Sequence, residues 1–131
     1  MKLHSPFIIT PRLLPGLKIG ENFVSLEYAG ETHDGRTKFR AYFDIGGKEF
    51  QDEQLKSGCQ GGNLRYAFGN LLAFLGSAAE SYAYSLRTGR PGENADLFAP
   101  EIVEWAYQNL SEIDMLRFEI EETENLIDES A

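Results

Sequence analysis

The sequence predicts an α+β domain, in which an N-terminal antiparallel sheet of about four strands packs on a long central helix and a C-terminal helical segment follows. The prediction rests on a change of period. Through residues 1–56 apolar and polar side chains alternate between turn signals, as half-buried strands do. From Leu64 to Leu86 the apolar residues instead recur every three or four positions, for about six turns of helix. At 131 residues the chain buries roughly two thirds of its unfolded surface as one domain, with a β-rich half at 1–56 and a mainly helical half at 62–129.

Each element has its own reason. Phe7 to Leu14 reads as a first strand, broken by Pro11 and closed by Pro15-Gly16, which suits an edge. Asn22 to Ala29 sets Val24, Leu26 and Tyr28 on one face and Ser25 and Glu27 on the other, and Gly30 ends it. After the polar loop Glu31 to Gly35, the strand Thr37 to Ile45 places Phe39, Ala41, Phe43 and Ile45 on a core face and Lys38, Arg40, Tyr42 and Asp44 on a wet one. Gly46-Gly47 supplies the two positive-φ residues of a tight hairpin that returns through Lys48 to Gln51.

The helix predicted over 62–87 carries Phe68, Leu71, Leu72, Leu75, Ala78, Ala79 and Tyr82 in one broad stripe. Arg65, Glu80 and Arg87 lie opposite, together with Gly69, Ala73 and Gly76, whose small size admits another backbone. Thr88 to Asp96 contains Gly89 and Pro91-Gly92 and reads as a loop. Pro100 suits the first position of a second helix with Ile102, Val103, Ala106 and Leu110 inward, and Ser111 to Asp114 resembles a capping signal that restarts a third. Leu116, Phe118 and Ile120 also alternate as a strand would, but the lack of Gly and turn signals between 112 and 127 favours helix.

The net charge of -9 is not spread along the chain. Residues 1–100 carry eleven basic and eleven acidic side chains, whereas residues 101–131 carry ten acids and only Arg117. A chain without a positive footprint is a poor nucleic-acid binder, because it has few phosphate counterions to release. The one basic patch is Arg36, Lys38, Arg40 and Lys48 around Tyr42, diluted by Asp44 and Glu49, and its alternative use is to pair with the acidic C-terminal segment. A single cysteine, Cys59, excludes a disulfide framework. The N-terminus offers only three consecutive apolar residues, Phe7-Ile8-Ile9, so no signal-peptide segment fits and a cytoplasmic location is expected. Tyr66 to Leu86 is interrupted by Asn70, Ser77, Glu80 and Ser81 and lacks basic flanks, which fits a buried helix rather than a membrane span.

Few residues carry the signs of chemistry. A glycine-rich stretch lies before the long helix, where Ser57, Gly58, Gly61 and Gly62 would turn backbone amides toward an anion or ligand, although its spacing is neither the Walker nor the dinucleotide pattern. Gly58-Cys59-Gln60-Gly61-Gly62 with Tyr66-Ala67-Phe68 resembles a segment of papain-like cysteine proteases in which the cysteine is a disulfide partner. The nucleophile motif of that family and a second cysteine are missing, so no activity is carried over. A nucleophilic Cys59 would need His4 or His33 as base, and these isolated residues have no metal-ligand spacing, so neither a metal nor a cofactor is expected. Glu80 is the most conspicuous single carboxylate, standing on a largely apolar helix with Tyr84 one turn and Arg87 two turns later.

These features favour a small non-catalytic interaction module of the inhibitor, immunity or anti-defence type, presenting an acidic surface to a protein partner with a basic one. The residues expected to form that surface are Glu101, Glu104, Glu119, Glu121, Glu122 and Glu124, with Trp105 as an aromatic contact, although packing at the edge of the core is the commoner role for such a side chain. A homo-oligomeric accessory protein, self-associating through Gly69, Ala73, Gly76 and Ala83, is one competing reading. The other is a small-ligand protein or enzyme using a pocket between sheet and long helix, with loop 57–62 at its mouth.

Overall fold

The computed structural model describes residues 6–52, 64–93 and 97–130, with the side chains of 52 and 122–130 left aside. Five antiparallel strands form a meander in the order β1-β2-β3-β4-β5, and three helices follow. The strands are β1 (Ile8–Ile9), β2 (Pro15–Ile19), β3 (Asn22–Glu31), β4 (Thr37–Ile45) and β5 (Lys48–Asp52), and the helices are α1 (Leu64–Thr88), α2 (Pro100–Gln108) and α3 (Leu110–Ser130). The α+β class, the sheet-then-helix order and the long central helix are as the sequence predicts, with one more strand than expected.

That extra strand corrects the reading of the N-terminus. Phe7 to Leu14 is not one strand: Thr10 to Leu13 is a turn, closed by the Thr10 N–H donating to Leu14 O at 2.9 Å and the Leu13 N–H donating to Thr10 O at 2.8 Å. Leu13 adopts φ 65, a conformation that costs a non-glycine residue roughly 1–2 kcal/mol. Pro15-Gly16 therefore opens a strand instead of closing one, with Ile9 opposite Pro15 and Ile8 opposite Gly16. Proline is tolerated there because it is the first residue of the strand. Gly16 meets a different demand: a Cβ would fall inside the van der Waals envelope of the Val24 carbonyl oxygen and of Thr10 Cγ2.

Farther along, sequence and structure agree. Gly46 (φ 60) and Gly47 (φ 79) make the tight β4–β5 hairpin. β3 runs past the expected Gly30 stop to Glu31, through a register irregularity between Tyr28 and Glu31. Segment 112–127 is helix, and α2 and α3 are separated only by Asn109, whose side-chain amide donates to Trp105 O at 2.9 Å.

One face of the sheet is the core. Leu17, Val24, Phe43 and Phe50 are opposed in register across four strands, with Leu26 and Ala41 beside them. The α1 stripe Ala67, Phe68, Leu71, Leu72, Leu75, Ala78 and Ala79 covers this face, joined by Ile102, Val103 and Ala106 of α2 and by Ile113 and Ile120 of α3. Phe43 is the aromatic hub, with Phe98 edge-on at 5.8 Å and Trp105 edge-on at 6.2 Å between ring centroids. Each such pair adds about 0.5–1.5 kcal/mol beyond the area buried. A polar strap ties the β2–β3 turn to the helices: the Gly20 N–H donates to Glu112 Oε2 at 2.8 Å.

Two substitutions on the opposite side of the sheet test this packing with opposite signs. Gly16→Ala should destabilise by about 1–3 kcal/mol, since its methyl group must displace the β3 backbone. Ser25 is fully buried with its hydroxyl unpartnered, so Ser25→Ala should be neutral or raise stability by up to about 1 kcal/mol. Urea unfolding of both variants measures the two effects, and a destabilised Ser25→Ala would contradict this account.

Candidate functional site

The outer face of the sheet is a polar layer closed by Arg12 from the β1–β2 turn. Its guanidinium pairs with Glu49, reaches Asp44 at 3.4 Å and lies 4.3 Å above the centroid of the Tyr42 ring. Beside it the Tyr42 hydroxyl donates to Glu27 Oε1 at 3.0 Å, and Arg40 Nη1 donates to the same oxygen at 3.3 Å. Hairpin register places Glu27 opposite Arg40 and Ser25 opposite Tyr42, which is why these groups meet. Arg36 pairs locally with Asp34 at 3.3 Å, while Lys48 Nζ stands 5.1 Å from the Phe50 ring.

The expected basic patch is thereby corrected. Arg36 and Arg40 pair with carboxylates of the sheet and its loop, and Tyr42 is buried beneath Arg12. The Arg12 hydrogen bond, with a smaller contribution from Gln51, holds the Glu49 carboxyl below its ordinary range. Hydrogen bonding from Thr32, and then the charge of Arg36, do the same for Asp34.

The carboxylates expected to meet a partner fall on outward helix faces. Glu101 and Glu104 share the exposed side of α2 one turn apart. On α3 the inward stripe is Ile113, Leu116 and Ile120, with Asp114 and Glu121 on one flank, two turns apart, and Glu119 on the other. Glu121 also forms an ion pair with Arg117 at 3.4 Å. Between the flanks, at the centre of the outward face, stand Met115 (63 % exposed) and Phe118 (61 % exposed), an apolar pair that the sequence reading did not single out. Their positions off the Ile113–Ile120 stripe were the available signal. Glu122 and Glu124 belong to α3, but their side chains lie outside the described residues.

Trp105 does not join this surface. It is only 4 % exposed and packs on Phe43, because α2 turns it inward beside Ile102 and Ala106. The small-residue face of α1 is likewise partly occupied from within the chain: a Cβ built on Gly76 would lie 3.9 Å from Asp114 Oδ1 of α3. Ser57, Gly58, Cys59, Gly61, Gly62 and His4 lie outside the described residues, so neither the anion loop nor a Cys–His pair is placed.

The described residues also line concavities on either side of α1. Between the sheet and the start of α1, Leu14, Leu26, Tyr28, Phe39 and Leu64 line a largely apolar cavity of about 370 Å³ whose one carboxylate is Glu27. On the far side of α1, Ser77, Glu80, Ser81 and Tyr84 face Pro91, Gly92 and Glu93 across a cavity of about 410 Å³. Among the described residues there is no cluster of three or more His, Cys, Asp and Glu suited to a metal ion, and no helix long and apolar enough to cross a membrane. No protein-family model, curated protein or solved structure matches the chain.

The Arg12–Glu49 pair has a definite pH signature. Because the folded state depresses the Glu49 pKa, its contribution to stability is present above the unfolded value of about 4.3 and is lost as pH falls through the lower folded value. Glu49→Gln should therefore shrink the loss of stability on acidification below about pH 4.3, leaving the neutral-to-alkaline behaviour parallel to wild type. Paired urea-denaturation series against pH provide the check, and identical acid limbs in the two proteins would remove the pair from the account.

Proposed function

We propose that this chain is a non-catalytic protein–protein interaction module, whose outward α2 and α3 faces engage a partner with a basic surface, in the manner of an inhibitor or immunity-type protein. The observation that carries the reading is the exposure of acidic side chains on the helices. Arg12, Arg36 and Arg40 pair with Glu49, Asp44, Asp34 and Glu27 within the sheet half, whereas Glu101, Glu104, Asp114, Glu119 and Glu121 are exposed on the helices with Arg117 as the local cation. Met115 and Phe118 add what charge alone lacks, an apolar centre inside a polar rim, the usual anatomy of a docking surface.

Carboxylates so arranged steer a basic partner from a distance and substitute for phosphates opposite its Lys and Arg side chains. A second copy of this chain is a poorer occupant of the same face, because two such surfaces would bring like charges together.

The test is capture of partners from the source cells by immobilised protein, followed by kinetic measurement on the partner recovered. Neutralising Glu101, Glu104, Asp114 and Glu119 to Gln or Asn should slow association by about tenfold to a hundredfold at low salt while leaving thermal stability nearly unchanged. Raising salt to about 1 M, where the Debye length is near 3 Å, should abolish the difference between variant and wild type. Phe118→Ser should instead speed dissociation. Binding that is insensitive both to salt and to the charge substitutions sinks the proposal.

A further inference from the structure

We propose that the cleft between α1 and the chain that follows it is a binding site for a small organic cation, a primary amine carried on a planar apolar body. The site is separate from the α2–α3 surface and does not depend on that reading.

The cleft exists because of how the chain leaves α1. The Gly89 N–H donates to Ser85 O at 2.8 Å with φ 71, which ends the helix and turns the chain back along it. Gly92 then lies directly on α1: a Cβ there would be 2.6 Å from Ser81 Cβ and 2.8 Å from Ser81 Cα and O. Only glycine allows this approach, and it fixes Pro91 and Glu93 as the wall facing Glu80 and Tyr84. The resulting volume, about 410 Å³, falls within the usual range of small-molecule sites, about 300–1,000 Å³.

The lining selects the ligand. Glu80 and Glu93 stand on opposite walls and no Lys or Arg is among the lining residues; Arg87 and Arg90 flank the cleft in sequence without lining it. Among the described residues neither carboxylate takes part in an ion pair. Two carboxylates facing one space favour an ammonium group between them, whose three donors suit carboxylate and hydroxyl acceptors. The Tyr84 ring, 40 % exposed, and the Pro91 ring supply apolar surface for the ligand body, and a tyrosine face attracts a cation in its own right. Ser77 adds a hydroxyl to the lining.

Titration of the full chain with phenethylamine, followed by backbone amide NMR, tests the site, with 2-phenylethanol as the neutral counterpart. Saturable shifts should centre on Ser77–Tyr84 and on Gly92 and Glu93, and the alcohol should bind at least about tenfold more weakly. Glu80→Gln and Glu93→Gln should each weaken the amine by about tenfold without altering binding of the alcohol; both positions are exposed, so the fold is retained. Shifts that fail to saturate at millimolar amine overturn the proposal. So do shifts spread equally over Glu101, Glu104, Glu119 and Glu121, because they would mean that the amine is only a counterion of an acidic protein.

Discussion

A five-stranded meander has two faces, and the structure depends on one of them being covered. Phe43 stands at the middle of that face, fully buried, with Leu17 and Val24 in register beside it and the rings of Phe98 and Trp105 edge-on above it. Burial of one such side chain contributes about 1.5–3 kcal/mol, and an isolated sheet of this size has no other way of removing its apolar face from water. The buried stripes of α1, α2 and α3 join that face in one core. Because the apolar stripes of α2 and α3 are committed inward, their carboxylates are committed outward. The acidic surface is thus a geometric consequence of the core.

The opposite face is handled by different chemistry. The residues that alternate outward are Ser25, Glu27, Arg40, Tyr42 and Asp44. Arg12 lies across Tyr42 and joins Asp44 and Glu49, so one side chain from a turn with a strained Leu13 caps the middle of the sheet. Such exposed pairs are individually weak, but they match Arg12, Arg36 and Arg40 to carboxylates of the same half of the chain. These pairs lie within residues 1–100, whose charges already balance in sequence, whereas the surplus of acid lies in residues 101–131.

Much of this was legible before the structure. Alternation in Asn22–Ala29 and Thr37–Ile45, the Gly46-Gly47 hairpin, the stripe from Phe68 to Tyr82 and Pro100 as a helix start are local signals, and each corresponds to the element found. What was misread depended on contacts made elsewhere. Pro15-Gly16 looks the same whether it stops a strand or starts one, and only the approach of Val24 and Thr10 to Gly16 decides. Trp105 could belong to either edge of an amphipathic helix until Phe43 is placed against it. Arg12 has its partners more than thirty residues farther on, beyond the reach of any pattern. Gly92 was legible as a loop glycine but not as the residue that presses a loop onto α1.

The strap between the Gly20 amide and Glu112 joins residues 92 positions apart. A ribosome adding about 5–20 residues per second finishes the sheet several seconds before the chain that covers and fastens it has been made. During that interval Phe43, Leu17 and Val24 have no helix to face, and the nascent meander presents a bare apolar surface to its neighbours. The core can close only once the C-terminal half has been made, so the interval of synthesis is when this apolar face is exposed.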